Sequence, residues 1–266
     1  MDRWTMCREC RLRGVCLPAT LTTEQVEQFN HIVRRGTSFE RSQYIYHVDS
    51  AFRSLYLVRS GAIKTGILSN EGIEQITGFY LPGDLFGIDG LGYAGHGCSA
   101  QALEHANICE IPFDQLEELT LRFPPLRKHF FSLLSKQIRE EQKLHMLLST
   151  KSADIRVAAL LLSFVQRQRQ LGLRSDNFRL PMSRHDLANY LGLVVETVSR
   201  VLTRFHHSGI LTTEGREIFI TDEQGLKAQT HGMLSPEEPP PTTRCNGADQ
   251  PERIPLTDAD QRAPAK

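Results

Sequence analysis

Three cysteines fall within ten residues near the N-terminus, Cys7, Cys10 and Cys16, in a C-x2-C-x5-C spacing followed by Leu17-Pro18. A loop of that length can wrap three sulfurs around one centre. In a reducing compartment, such thiols serve as ligands more often than as disulfides. Spacing alone leaves two chemistries open: zinc closes a tetrahedral structural site with four ligands, and a [4Fe–4S] cluster also takes four thiolates. The fourth donor must come from elsewhere, and the candidates are Cys98, Cys109 and Cys245, with His96 or His105 for zinc. Cys109 lies in an alternating, strand-like segment from Asn107 to Phe113 that puts Cys109 and Ile111 on one face. In isolation a cysteine in such a strand is ordinarily a small buried residue.

A second group of chemistry-bearing residues lies between Ser183 and Gly209. Ser183 with Asp186 three residues on is a capping-box start, and Leu187, Tyr190 and Leu191 repeat at helical spacing. Gly192 supplies a turn, and a second helix from about Val195 buries Val198, Val201, Leu202 and Phe205 and stops near Gly209. Its other face presents Glu196, Ser199, Arg200 and Arg204. Arg200 can pair with guanine O6 and N7, Glu196 can accept from cytosine N4, and Ser199 can approach a thymine when the helix lies in a major groove. Ile210–Thr212, a Glu214-Gly215 turn and Ile218–Ile220 form a hairpin behind it, a wing. By spacing alone this is equally an αα-hairpin with a polar outer face.

The pattern YLGLxxETxSRxLxxFxxxGIL resembles the winged helix-turn-helix of the CRP/FNR family of bacterial transcription regulators. Val195, Glu196, Ser199 and Arg200 match its FNR branch, whereas the cAMP-responsive branch carries Arg and Gly in place of Val195 and Ser199. The resemblance implies a palindromic double-stranded DNA site with TTGAT-like halves. It departs from the family at Val194, where a Ser or Thr usually caps the reader helix; losing that cap costs about 0.5–2 kcal/mol. The FNR branch also carries C-x2-C-x5-C at its N-terminus and a fourth cysteine in a C-E-I-P-F segment. Both are present here, so the resemblance implies that Cys7, Cys10, Cys16 and Cys109 hold an oxygen-labile [4Fe–4S] cluster, with Cys98 and Cys245 as bystanders.

These residues need elements to position them. Between about Leu21 and Phe113 the chain reads as β-like. Runs at Tyr44–His47, Ser54–Arg59, Ala62–Leu68, Gln75–Tyr80 and Leu85–Gly87 are separated by Gly, Asn and Pro turns, a small antiparallel barrel or roll. The family has here a double-stranded β-roll related to cyclic-nucleotide-binding domains. However, cAMP binders place a Glu where this chain has Ile88 and an Arg where it has Cys98, so no cyclic nucleotide is expected. From about Pro125 to Thr150 a long helix carries Phe131, Leu134, Ile138, Glu141, His145 and Leu148 at spacings of three and four. The resemblance makes this seam the homodimer interface. In a two-fold pair Glu141 would then meet its own copy, which opposes association.

The whole is an α+β chain with five expected parts: a cysteine loop over 1–20, the β-roll over 21–120, the dimerisation helix over 121–150, the winged helix-turn-helix over 151–225 and a disordered tail over 226–266. Within 151–182 the sequence calls for one amphipathic helix and a short strand. The tail reading rests on seven of the thirteen prolines lying between Pro236 and Pro264. Formal charge is zero, and Lys151 to Asp222 holds ten Lys/Arg against seven Asp/Glu, so the DNA-contact surface is focused instead of a general basic coat. The charged start from Arg3 to Arg13 and the short aliphatic run Val157–Leu162 give neither a signal peptide nor a membrane span, so a cytoplasmic protein is expected. There is no G-x-S-x-G, P-loop or H-E-x-x-H, so no enzyme is expected. RNA polymerase is the partner the resemblance implies, with the tip around Ser69–Gly72 as a contact point. Two other classes remain: a zinc-stabilised regulator that binds DNA regardless of oxygen, and an iron–sulfur redox protein whose helix pair only packs.

Overall fold

The computed structural model describes residues 6–17, 20–69, 71–149 and 152–230. Between Leu21 and Phe113 the structure differs from the purely β-like expectation, because it opens with a helix. After a short first helix (α1, Arg13–Cys16), α2 runs over Thr23–Ile32. Thr22 Oγ1 accepts the Gln25 N–H at 3.2 Å, and the Gln25 side-chain oxygen accepts the Thr22 N–H at 3.0 Å. This capping box starts the helix, and Val26 and Phe29, one turn apart, bury its inner face.

Eight strands follow: β1 (Arg34–Phe39), β2 (Tyr44–Tyr46), β3 (Ser54–Ser60), β4 (Ile63–Leu68), β5 (Glu74–Tyr80), β6 (Leu85–Phe86), β7 (Ser99–Ala102) and β8 (Ala106–Pro112). They form two four-stranded antiparallel sheets, ordered β1-β8-β3-β6 and β2-β7-β4-β5. Strands β1 and β7 were not among the expected runs; RRGTSF and SAQA carry few large apolar residues, and pairing with β8 and β4 makes them strands. Val58, Ile63, Phe86, Ala100 and Ile108 close one core between the sheets. The two-residue period of β8 then decides the placement of the cysteine. Ala106 and Ile108 point into that core, while Cys109 and Ile111 belong to a second core with α2.

That second core is completed by α3 (Phe113–Arg122) and the 26-residue α4 (Pro124–Ser149), through Leu116, Leu119 and Leu126. At 1.5 Å per residue, α4 is roughly 39 Å long. Beyond it come α5 (Ala153–Gln170), β9 (Asn177–Arg179), α6 (Arg184–Tyr190), α7 (Val195–His207), β10 (Leu211–Glu214), β11 (Glu217–Ile220) and α8 (Glu223–Ala228). The helix α8, capped by Asp222 with Leu226 fully buried, carries the ordered chain past the expected start of the tail at 226. The remainder of that tail, with Cys245, lies outside the described residues.

The two halves share a core: Ala62, Ile76, Phe79 and Leu81 of the roll pack with Leu161, Phe164, Leu187 and Leu191. Polar links fix the register between them. The Asn189 side chain donates to Glu74 O at 2.6 Å and accepts the Ile76 N–H at 2.7 Å, reading the β5 edge as a neighbouring strand would. Lys64, almost buried, reaches Glu74 at 2.7 Å and Asp186 at 3.5 Å. Arg167 of α5 joins Asp84 at 3.2 Å, Glu140 of α4 at 3.0 Å and the Phe79 carbonyl at 3.2 Å. Burial works against its charge, but the Asp84 and Glu140 carboxylates more than offset that and hold its pKa above the usual guanidinium value.

Candidate metal centre and nucleic-acid interface

Cys7, Cys10, Cys16 and Cys109 line one cavity of about 60 Å³ on the outer face of the β3–β8 pair. The rest of the wall is largely apolar: Leu12 and Leu17 from the loop, Phe29 from α2, and Leu126, Phe130 and Leu133 from α4. The four cysteines are free thiols and partly buried. Two side chains outside the sequence reading fix the first of them. The Cys7 N–H donates to Asn30 Oδ1 at 3.0 Å, and the Arg35 guanidinium donates to Cys7 Sγ at 3.0 Å and to the Asn30 carbonyl at 3.1 Å. No sequence signal marks Asn30 or Arg35, since a polar residue on α2 and a cation on an edge strand are both ordinary.

Burial is the main force on two of these thiols, Cys16 and Cys109. It pushes Cys16 far above the ordinary thiol range, and the neighbouring Cys10, Cys109 and Cys7 add to it. Cys109 is pushed up to about 11 by burial and by Cys7, with Arg59 and Arg35 pulling the other way. Cys16 and Cys109 therefore keep their protons unless a cationic centre stabilises the thiolates. Among the described residues, no three His, Cys, Asp or Glu side chains come together as a group that could hold a metal ion. The four thiols nevertheless share the wall of one largely apolar cavity.

One further polar group lines the cavity. His129 of α4 has its Nε2 sealed from solvent and without a hydrogen-bond partner among the described residues. Burial pulls its pKa down, while hydrogen bonding to the main chain of Cys16 and Val15 pulls it up. The sequence reading passed over it; a histidine in an amphipathic helix carries no signal of its own.

The other candidate ligands lie elsewhere. Cys98 is buried inside the roll, its Sγ 3.4 Å from Asp89 and 4.0 Å from the Tyr46 hydroxyl, and burial with Asp89 raises its pKa to about 12. His96 stacks on Tyr46 with ring centroids 3.7 Å apart, and His105 is exposed beside Glu40. Asp89 Oδ2 accepts the Gly97 and Cys98 N–H groups at 2.8 and 3.2 Å.

In the C-terminal half the Ser183–Asp186 capping box starts α6: Ser183 Oγ accepts the Asp186 N–H at 3.1 Å, and Asp186 Oδ2 accepts the Ser183 N–H at 2.9 Å. Gly192, at φ +60°, makes the turn in the left-handed region that a side chain resists. The next helix, α7, packs Val198, Val201, Leu202 and Phe205 inward, and Val194 precedes it with no side-chain cap. Glu196 and Arg200 are exposed and Ser199 is half-buried. Arg184 Nη1 donates to Ser199 Oγ at 3.3 Å, and Arg200 Nη2 donates to Thr197 Oγ1 at 3.3 Å. Arg204 differs from the other three. Asp154 of α5 holds it through contacts of 2.7 and 2.9 Å, so its cation is already paired within the chain. Arg184, which carries no signal of its own in the sequence, stands beside Ser199. Antiparallel β10–β11 forms the wing, and β9 adds a third strand.

On α4, Phe131 and Ile138 are 58% and 56% exposed. Glu141 and His145 are exposed too, and Leu134 and Leu148 are half-buried. None of the seam residues is used up in the chain's own core.

A reader helix held on a three-stranded wing and seated on a β-roll defines a DNA-binding transcription regulator. Comparison with known proteins agrees. Residues 155–229 match the model of the Crp-like helix-turn-helix domain, and residues 37–123 that of the cyclic nucleotide-binding domain. Transcriptional activator protein Anr of Pseudomonas protegens is 44% identical over 228 residues, 86% of this chain and 93% of that protein. The fumarate and nitrate reduction regulatory protein of Escherichia coli is 40% identical over 220 residues, 83% of this chain and 88% of that protein. Among solved structures, FixK2 from Bradyrhizobium japonicum superposes with a TM-score of 0.68 at 30% identity, over 74% of this chain and 97% of that one. The chain belongs to the CRP/FNR family of transcription regulators. Within that family it is a regulator of the FNR/Anr type and not an enzyme, as the motifs implied.

Proposed function

We propose that this protein is an oxygen-responsive regulator that binds a TTGAT-type palindrome as a homodimer in low oxygen, activating or repressing anaerobic genes from the cytoplasm in contact with RNA polymerase. The observation that carries the reading is that Cys7, Cys10 and Cys16, from the N-terminal loop and its short helix, and Cys109, from a strand far along the chain, line one cavity. The donor set fits a [4Fe–4S] cluster: four thiols, an apolar wall, and the Arg35 and Arg59 cations to offset thiolate charge. When bound, such a cluster supplies an oxygen-labile centre whose presence depends on all four thiolates.

The chain's own residues do the rest. Arg35 and Asn30 hold the Cys7 end of the loop, and the loop shares its cavity with Leu126, Phe130 and Leu133 on one side of α4. With the loop pinned, that side of α4 is packed and the Phe131–Ile138 side faces outward for a second copy. Arg156 of α5 donates to Leu148 O at the end of α4 at 2.9 Å and to Leu191 O in the reader turn at 2.8 Å. It links the dimer helix to the DNA-reading unit. A cyclic nucleotide is not part of the reading: Ile88 and Cys98 stand where nucleotide binders use Glu and Arg. In addition, the Asp89 carboxylate already takes the Gly97 and Cys98 N–H groups, so a phosphate there would meet a like charge.

Protein purified without oxygen is expected to hold about four irons and four acid-labile sulfides per chain, with a visible spectrum that changes in air. Zinc without sulfide, and DNA binding indifferent to air, would overturn the oxygen-sensing reading in favour of a constitutive regulator. Glu141 tunes the dimer. It is exposed and accepts from Gln137 Nε2 at 3.3 Å, a bond too weak to neutralise it. Two such carboxylates about 4 Å apart repel by about 1 kcal/mol in water-like surroundings, so Glu141→Ala is expected to strengthen the dimer in air about fivefold or more. Sedimentation that finds no gain in dimer removes Glu141 from this role.

A further inference from the structure

The Arg34-Arg35 pair opens β1, and the alternation of a strand sends its two side chains to opposite faces. Arg34 crosses to Glu110 on the neighbouring β8 at 3.3 Å, an ordinary ion pair. Arg35 goes to the thiol side. It is half-buried, and its Nη2 donates to Cys7 Sγ at 3.0 Å, to the Asn30 carbonyl at 3.1 Å and to Asn30 Oδ1. Two protons serve three acceptors, so part of this bonding is shared. Among the described residues no carboxylate pairs with Arg35, and Asn30 is neutral. Of the three acceptors only the Cys7 sulfur can take on negative charge. The charge of Arg35 is also felt at Cys109, the candidate ligand furthest along the chain. A guanidinium keeps its charge and its protons throughout the working pH range of a protein. Protonated thiols accept weakly, whereas metal-bound thiolates carry charge and accept strongly. The Arg35–Cys7 contact therefore strengthens when the four sulfurs hold a centre.

We propose that Arg35 is a positioning and tuning residue for the centre held by Cys7, Cys10, Cys16 and Cys109, and that its charge-assisted hydrogen bond to the Cys7 sulfur slows loss of that centre in air. The inference rests on the cluster reading above and goes beyond it by naming the residue that sets how fast the centre responds to oxygen. Hydrogen bonds to the sulfurs are one of the levers by which a protein sets the potential of an iron–sulfur centre. A cation beside a sulfur ligand favours the state that holds more electrons, so it resists the oxidation with which attack by oxygen begins. Arg35 acts on geometry as well. Cys7 comes from the open end of the loop, and the Asn30–Arg35 pair holds both its N–H and its Sγ.

The test uses full-length protein purified without oxygen and labelled with 15N-arginine: wild type and the R35K and R35M variants. Iron and sulfide are counted first; a wild type without them overturns the cluster reading and this inference with it. In iron-loaded wild type, reduced by irradiation in the frozen state, pulsed electron paramagnetic resonance is expected to detect a guanidinium 15N coupling to the centre. That coupling should disappear in R35K, which keeps the charge and loses the labelled group. On exposure to air, the visible absorbance of the centre is expected to decay about fivefold faster in R35M, with most of the difference recovered in R35K. A wild type with full iron content and no 15N coupling overturns the proposal while leaving the cluster reading intact, and that measurement does not depend on either variant folding. A coupling that survives unchanged in R35K assigns it to Arg59 and overturns the proposal too. Equal decay in all three proteins at full iron content overturns it as well.

Discussion

Arg200→Ala is expected to weaken binding to a TTGAT-type palindrome by about 30-fold to about 10^4-fold. A bidentate arginine–guanine pair contributes about 1–3 kcal/mol of discrimination. A two-fold dimer makes that contact in both half-sites, which doubles the loss to about 2–6 kcal/mol, at 1.4 kcal/mol per tenfold. The fold should not notice. Arg200 is exposed and its one described side-chain bond is a 3.3 Å contact to Thr197 on its own helix, so unfolding should stay within about 0.5 kcal/mol of wild type. Arg204→Ala provides the contrast. Its guanidinium is held by Asp154, so most of what is lost is an exposed pair worth about 0–1 kcal/mol. A mobility-shift titration at fixed salt with both variants separates the two roles. Less than a threefold loss for Arg200→Ala would remove it from the groove, and a loss for Arg204→Ala equal to that of Arg200→Ala would mean that Arg204 leaves Asp154 to meet DNA.

Arg167→Met is expected to destabilise the fold strongly. The guanidinium is shared by Asp84, Glu140 and the Phe79 carbonyl, and its side chain is 20% exposed. Removing the cation leaves two carboxylates facing each other where the roll, α4 and α5 meet. Breaking a buried pair from one side costs about 3–5 kcal/mol, and the partial exposure here argues for the lower end, about 3 kcal/mol. For a domain of this size that corresponds to a fall in Tm of about 6–12 °C. Thermal unfolding of the two proteins at one pH and salt measures it. A fall of less than 2 °C would mean that solvent already screens the three charges. The triple variant Arg167→Met, Asp84→Asn, Glu140→Gln should recover part of the loss, because it removes the stranded charges along with the cation.

Much of the DNA-binding half was legible before any coordinates. The Ser183–Asp186 capping box, the Gly192 turn and the Val198–Val201–Leu202–Phe205 stripe are local patterns, set by residues within one or two turns of each other, and the structure has each of them. Helix α2 was equally local and was still missed. Its Thr22–Gln25 box and the Val26, Phe29 pair lie within eight residues, but the run before the first strand was read with the β-rich text that follows it. Strands β1 and β7 had no such signal; they are strands because partners on the sheet supply the pairing that RRGTSF and SAQA do not ask for alone.

The binding residues divide in the same way. The sequence by itself determined which side chains are the candidates for the chemistry proposed here: the three N-terminal thiols by spacing, Cys109 through its family segment, and Glu196, Ser199 and Arg200 by their place on a helix face. Those are properties of residue type and short separation, and no fold is needed to see them. Only the tertiary structure decided which groups surround those residues. It brought Arg35 and Asn30 to Cys7. It sealed His129 Nε2 on the wall of the thiol cavity. It paired Arg204 with a carboxylate 50 residues away, and it joined Arg167 to the roll and the long helix at once. Charge pairing and burial depend on distances through space between segments far apart in the chain, which a one-dimensional pattern does not encode.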